Sequence, residues 1–225
     1  MNDANQTELG KMQSFNPTIA NLKAFCIMMV VLGHCDCSIP YAMQFMGMFR
    51  MPLFFFVSGY CFKATSLDNP KRYFGRRIQG VYWPCVKWGL FFMLLHNVFI
   101  KVGFYDASTP VYGIRDFILH AYNIIVHMVD LEQLIGAYWF LAALFAGSFI
   151  SWVLMKFVRQ LEYSAAIAFG AAILMNALEH HIPLGNPLFT FIPFSYILVS
   201  ARTFEVAFLI IAGHWFAYKK IKPFG

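Results

Sequence analysis

The residues best able to do chemistry lie on one hairpin. It runs from Asn21 to Phe62 and reads NLKAFCIMMVVLGHCDCSIPYAMQFMGMFRMPLFFFVSGYCF. Lys23 and His34 sit on its first apolar segment, Arg50 and Pro52 on its second. Lys23 and His34 are eleven residues apart, about 1,100° of helical rotation, so the two point within about 20° of each other. Imidazole titrates near ambient pH and suits the task of general base towards a hydroxyl. A guanidinium at the same depth can polarise a carbonyl or stabilise an oxyanion, more strongly in a low dielectric than in water. Each residue also has a plainer use: Lys23 snorkelling to headgroups, His34 bonding to a neighbouring helix, Arg50 pairing with Glu205 or Asp36. Pro52 removes the helical hydrogen bond to Met48 and predicts a kink beside Arg50. His34, Cys35 and Cys37 crowd one helix end and cannot supply a tetrahedral set, so no metal is expected.

The elements that hold these residues follow from composition. Of 225 residues, 60% are apolar and 12% charged, and the mean hydropathy is +0.59, which is too apolar for a soluble domain. The expected fold class is all-α: a polytopic transmembrane helix bundle of about six spanning helices with one or two interfacial or re-entrant segments. Apolar windows of roughly 20 residues place spans at about 19–37, 43–62, 81–102, 137–158, 163–179 and 200–218. Residues 112–130 mix helical apolar spacing with Arg115, Asp116, His120 and His127 and read as an interfacial amphipathic helix. Residues 187–199, with Pro187 and Pro193, read as a broken or re-entrant segment. Residues 1–18 form a polar cytoplasmic segment without the basic start and cleavage site of a signal peptide; residues 19–225 form a single transmembrane domain. The five cysteines lie mostly in or beside apolar runs and imply no disulfide framework.

Charge gives the expected orientation. Lys63, Lys71, Arg72, Arg76 and Arg77, then Lys156 and Arg159, then Lys219, Lys220 and Lys222 all fall on one side of the six spans. Asp106, Asp116, Asp130, Glu132 and Glu179 fall on the other. The positive-inside rule then puts both termini in the cytoplasm of a multi-pass cell-membrane protein with lipid as its surroundings. The net charge of +6 reports this topology, and no nucleic-acid partner is expected. At about 1.5 Å per helical residue, His34, Arg50, His96, Asn97, Arg202 and Glu205 converge on one polar layer in the outer part of the membrane. Ionisable groups at that depth normally face a partner or a water-filled cavity, which makes His96, Asn97 and Glu205 candidate substrate contacts.

The runs LKAFCIMMVVLGH, FRMPLFFFVSGYCF, RRIQGVYWP and YWFLAALF together resemble the acyltransferase 3 family of integral membrane acyltransferases, especially the branch resembling fucose 4-O-acetylases. The resemblance extends from Asn21 to about Ala217, where FLIIAGHWF looks like a later family helix. It implies transfer of an acyl group, usually acetyl from cytoplasmic acetyl-coenzyme A as co-substrate, to a hydroxyl of a cell-surface or exported carbohydrate. The family's essential histidine falls on His34. The resemblance also raises Trp139, otherwise an interfacial anchor, to a candidate sugar contact. The coenzyme's phosphates would rest on Lys71, Arg72, Arg76 and Arg77 while its arm rises past Lys23 to His34, although topology alone also produces that basic cluster.

The chain departs from the family pattern at named positions. Lys23 stands where the family has arginine, and Asn21 where it has an acidic residue. Arg50 replaces the histidine common in the nearest branch, and Gly80 takes the second arginine place of the basic segment. The chain ends at Gly225, several helices short of a usual member, which leaves room for a second chain or an oligomer to complete the bundle. Two other readings use the same residues: a transporter or flippase-like subunit without chemistry, and a truncated remnant.

Overall fold

The computed structural model describes residues 17–32, 42–106, 108–158, 160–178, 181, 192–198 and 200–221. His34, Cys35, Asp36, Cys37, Arg159, Glu179 and residues 187–191 lie outside them. All regular structure among the described residues is helical. Helix α1 is Pro17–Leu32 and α2 is Ala42–Tyr60. After a 3₁₀ turn at Ala64–Ser66, α3 runs Pro70–Leu94 through a π-helical turn at Ile78–Tyr82. Short α4, His96–Val102, leads to α5, Ile114–Tyr122, which continues through a π turn at Asn123–His127. A 3₁₀ turn at Gln133–Tyr138 opens α6, Trp139–Phe157; α7 is Leu161–Leu178, α8 Ser195–Leu198 and α9 Ala201–Ile221.

Local chemistry sets several of these boundaries. Asn69 caps α3 by accepting from the Arg72 N–H at 3.3 Å, with Pro70 in the first turn, where its missing N–H costs nothing. Gly103 ends α4 in the left-handed conformation, φ 84°, that glycine adopts without steric penalty.

Helix α9 is the axis of the bundle, with α2, α6 and α7 packed around it. Its Ala207, Ile210 and Ile211 are fully buried. Two glycines make the α2–α9 crossing possible: a Cβ on Gly59 would overlap the Ile210 carbonyl, and one on Gly213 the Phe56 carbonyl. Gly147 of α6 is similar, since a Cβ there would lie 2.6 Å from Val206 Cγ1. Small residues at such contacts let backbones approach where lipid supplies no hydrophobic drive to hold helices together. The outward faces are apolar, with Phe25, Met28 and Val31 on α1 and Phe169, Ile173 and Leu174 on α7 exposed.

The helices fall where the apolar windows predict, with one physical difference. The window at 81–102 is a broken element: α3 begins eleven residues earlier, within the basic segment, and the chain bends by 51° between Leu94 and His96. By length and composition, Gln133–Phe157 and Leu161–Leu178 can each cross a membrane, and the bent pair forms a third candidate; α1 is apolar but has 16 described residues. The amphipathic stretch is helical over α5, with Ile114 and Ile118 exposed. Within 187–199, the described part carries the single turn α8.

Candidate active site

Three cavities line up along the helices that carry the candidate residues. The first, of about 360 Å³, lies where α1, the end of α2 and α3 meet. Lys23, Lys63, Arg76 and Arg77 line it together with Ser58, Cys61, Phe62, Ser66 and Tyr73. The α3 contribution, Tyr73, Arg76, Arg77, Gly80 and Val81, follows i, i+3, i+4, i+7, i+8 spacing, so one helix face supplies it. The Arg77 guanidinium stands 5.4 Å above the Tyr73 ring. Phe62 packs edge-on against both Tyr73 and His214, at 5.5 and 5.0 Å between centroids. The π turn that starts at Ile78 lies against this wall, as such turns often do beside functional sites.

The second cavity, about 250 Å³, is lined by Cys26, Ile27 and Val30 of α1, Arg50, Met51 and Phe54 of α2, and Tyr138 and Phe140. Arg50 is its one cationic side chain. The Arg50 Nε is buried and finds no hydrogen-bond acceptor among the described residues, a costly state for a polar donor in a low dielectric. The basic cavity touches α1 at Lys23 and this one at Cys26, Ile27 and Val30, so both open onto successive turns of one α1 face.

The third cavity, about 380 Å³, lies at the opposite end of α6 and α9 from Lys156 and Lys219. Asp130, Trp139, Tyr196, Ser200, Arg202 and Thr203 give it polar character, over a floor of Ala142, Ala143 and Ile197. The Arg202 guanidinium lies 5.0 Å from the Trp139 ring centroid, a cation–π geometry. Asp130, at φ 57°, accepts from Asn123 Nδ2 at 2.5 Å and faces His120 Nδ1 at 3.7 Å. Trp139 lines this cavity while Tyr138 and Phe140 line the Arg50 cavity, so the first turn of α6 belongs to both.

His96 and Asn97 are used elsewhere. His96 is 3% exposed; its Nδ1 meets Glu132 Oε2 at 2.8 Å and its Nε2 the Pro110 carbonyl at 3.1 Å. Its ring stacks on Tyr112 at 3.5 Å. The Asn97 side chain donates to the Tyr112 carbonyl at 2.9 Å and accepts from the Tyr112 N–H at 2.8 Å. These bonds tie the loop between α4 and α5 to the bend at Leu95. Burial pushes the Tyr105 and Tyr112 phenols up to about 12, and the neighbouring Glu132 carboxylate adds to both shifts.

The structure therefore divides the expected polar layer into separate neighbourhoods. It brings Lys23, Arg76 and Arg77 together and puts Arg50 in the adjoining cavity. Lys71 and Arg72 sit on the first turn of α3, off the lining face. Glu205 lines a different groove, with Pro52 and Asn176 between α2, α7 and α9, and no ion pair joins it to Arg50 among the described residues. His34 lies outside those residues. No group of three potential metal ligands occurs among the described residues. The sequence reading missed Lys63 and Ser58 as lining groups, and Asp130 and Tyr196 in the outer cavity. Lys63 lies in a loop whose charge topology already accounts for, and the other three become neighbours of the cavity residues only through long-range packing.

Comparison with known proteins supplies a family. The acyltransferase 3 family model, described as an acyltransferase domain, matches residues 16–223. No curated protein and no solved structure matches the chain. With a match over nearly the whole length and helices whose outward faces are apolar, the chain belongs to the acyltransferase 3 family as a membrane protein.

Proposed function

We propose that the protein transfers an acyl group, acetyl in the simplest case, from coenzyme A to a hydroxyl of an exported or cell-surface carbohydrate. The observation that carries this reading is the shared α1 face: four cations at one cavity and, one to two turns further along, a second cavity holding the Arg50 guanidinium, whose buried Nε has no acceptor among the described residues. Lys23, Lys63, Arg76 and Arg77 fit a polyphosphate, the donor set that such a ligand needs. A thioester arm is long and narrow and suits the apolar α1 face beyond them. Lys71 and Arg72 extend the same positive field toward solvent and steer the coenzyme to the cavity.

His34, eleven residues beyond Lys23 in the sequence, takes the proton from the acceptor hydroxyl as its oxygen attacks the thioester carbonyl carbon. Arg50 donates to the carbonyl oxygen as it becomes an oxyanion. The carbon–sulfur bond then breaks, and the proton held by His34 passes to the leaving thiolate. The reading also assigns six spans, with the basic end in the cytoplasm and the Trp139 cavity at the outer face. Labelled acetyl-coenzyme A supplied to membranes tests it: label appears in an outer-face saccharide with the wild-type chain and stays on the coenzyme with His34→Ala. Transport without chemistry would instead move saccharide across the membrane with no loss of acetyl-coenzyme A.

A further inference from the structure

Of the two charged groups that line the outer cavity, Asp130 and Arg202, one has no polar partner among the described residues. Asp130 is engaged by Asn123 and faced by His120, and Thr203 Oγ1 donates to the Ile197 carbonyl at 2.6 Å. Arg202 is exposed, and its guanidinium carbon lies 5.0 Å from the Trp139 ring centroid. It makes no hydrogen bond or ion pair among the described residues. A guanidinium carries five N–H donors in a fixed plane, and a cation–π contact with an aromatic ring leaves those donors free. The cavity thus pairs a guanidinium whose N–H donors are unspent with an indole, the Tyr196 ring and Ser200. Its volume of about 380 Å³ is the size of a small-ligand site.

From this we infer that the outer cavity binds a saccharide bearing an oxyanion, a carboxylate or a phosphate, which docks on Arg202 while the hydroxylated ring lies against Trp139 and Tyr196. A neutral sugar offers hydroxyl acceptors but not the charge-assisted, bidentate contact that a carboxylate or phosphate gives a guanidinium, so the site favours the anion. The inference rests on the outer cavity being the acceptor's side of the reaction proposed above. Because the first turn of α6 lines both this cavity and that of Arg50, a docked ring would lie beside the proposed reaction centre.

The test is ligand-observed NMR on the full chain in phosphatidylcholine nanodiscs with no acyl donor present. Glucose, glucuronic acid and glucose 6-phosphate serve as probes. The expected result is that at least one anionic probe binds about tenfold or more tighter than glucose. Arg202→Gln should reduce that preference to about twofold or less, with Arg202→Lys intermediate because it keeps charge but loses the planar fork. Equal affinity for all three probes on the wild-type chain overturns the inference, whatever the variants do. So does displacement of glucuronic acid by added phosphatidylglycerol in the wild type but not in Arg202→Gln, which would assign the guanidinium to lipid headgroups. Binding is read without donor, so absence of acyl transfer would sink the catalytic reading and leave this result standing.

Discussion

Arg50 holds a planar cation in a cavity otherwise lined by Cys26, Ile27, Val30, Met51, Phe54, Tyr138 and Phe140. Its buried Nε has no acceptor among the described residues, so a carbonyl oxygen that becomes an oxyanion would find a prepared donor there. Arg50→Lys keeps the charge but cannot offer the same fork. If Arg50 supplies the oxyanion partner, the lysine variant should lower kcat by about 10²-fold, measured as label transfer in membranes with expression matched. The basic cavity predicts a different signature. Arg76→Ala combined with Arg77→Ala should raise KM for acetyl-coenzyme A several-fold and change kcat much less, because binding removed equally from ground and transition states appears in KM. Lys71→Ala should have the smaller effect, since Lys71 lies off the lining face. Lys23, Arg76 and Arg77 could be picked out from sequence because they combine positive charge with helical spacing. The separation of Lys71 from Arg76 could not, because the position of a side chain on the lining face depends on how α3 is rotated against α1.

At the scale of elements, the α2–α9 crossing and the α4–α5 loop are the parts most exposed to single changes. Gly213→Val would drive a branched side chain into the Phe56 carbonyl. Overpacking of this kind costs about 1–3 kcal/mol or more, so the variant should lose thermal stability in detergent. The loop is held differently. Glu132→Ala would strand buried His96 and remove its 2.8 Å partner, and leaving a buried polar group unsatisfied costs about 1–3 kcal/mol. Faster hydrogen exchange over residues 105–113, with the α9 core unchanged, checks this. The same loop should be sensitive to alkali. Tyr105 and Tyr112 rise from 10.0 to about 12 on folding, so the folded state retains their protons longer. Their stabilising contribution is complete below about pH 10 and is lost as pH rises through about 12; tyrosinate absorbance followed alongside loop exchange would show the two changing together. Most helix positions could be read from apolar windows because each window needs only local composition. The 51° bend at Leu95 could not, since it depends on His96 and Asn97 finding Glu132, Pro110 and Tyr112, up to 36 residues away.

Across the whole molecule, the three cavities form a sequence from the basic end of the bundle to the Trp139 end, with Arg50 between. Donor and acceptor would then enter from opposite sides and meet near the Arg50 cavity. That arrangement fixes an orientation. A cysteine at Ser108 should react with an impermeant maleimide added outside intact cells, and one at Lys71 only after permeabilisation; the reverse pattern would invert the proposed topology. Cys61, the exposed native thiol among the described residues, belongs to the basic end and serves as an internal control. The most direct measurement of the central claim follows acetyl label from acetyl-coenzyme A into saccharide in membranes carrying the wild-type chain, Arg50→Lys or His34→Ala. The account predicts labelled saccharide with the wild type, about 10²-fold slower transfer with Arg50→Lys, and none above background with His34→Ala. Undiminished labelling with His34→Ala would contradict it.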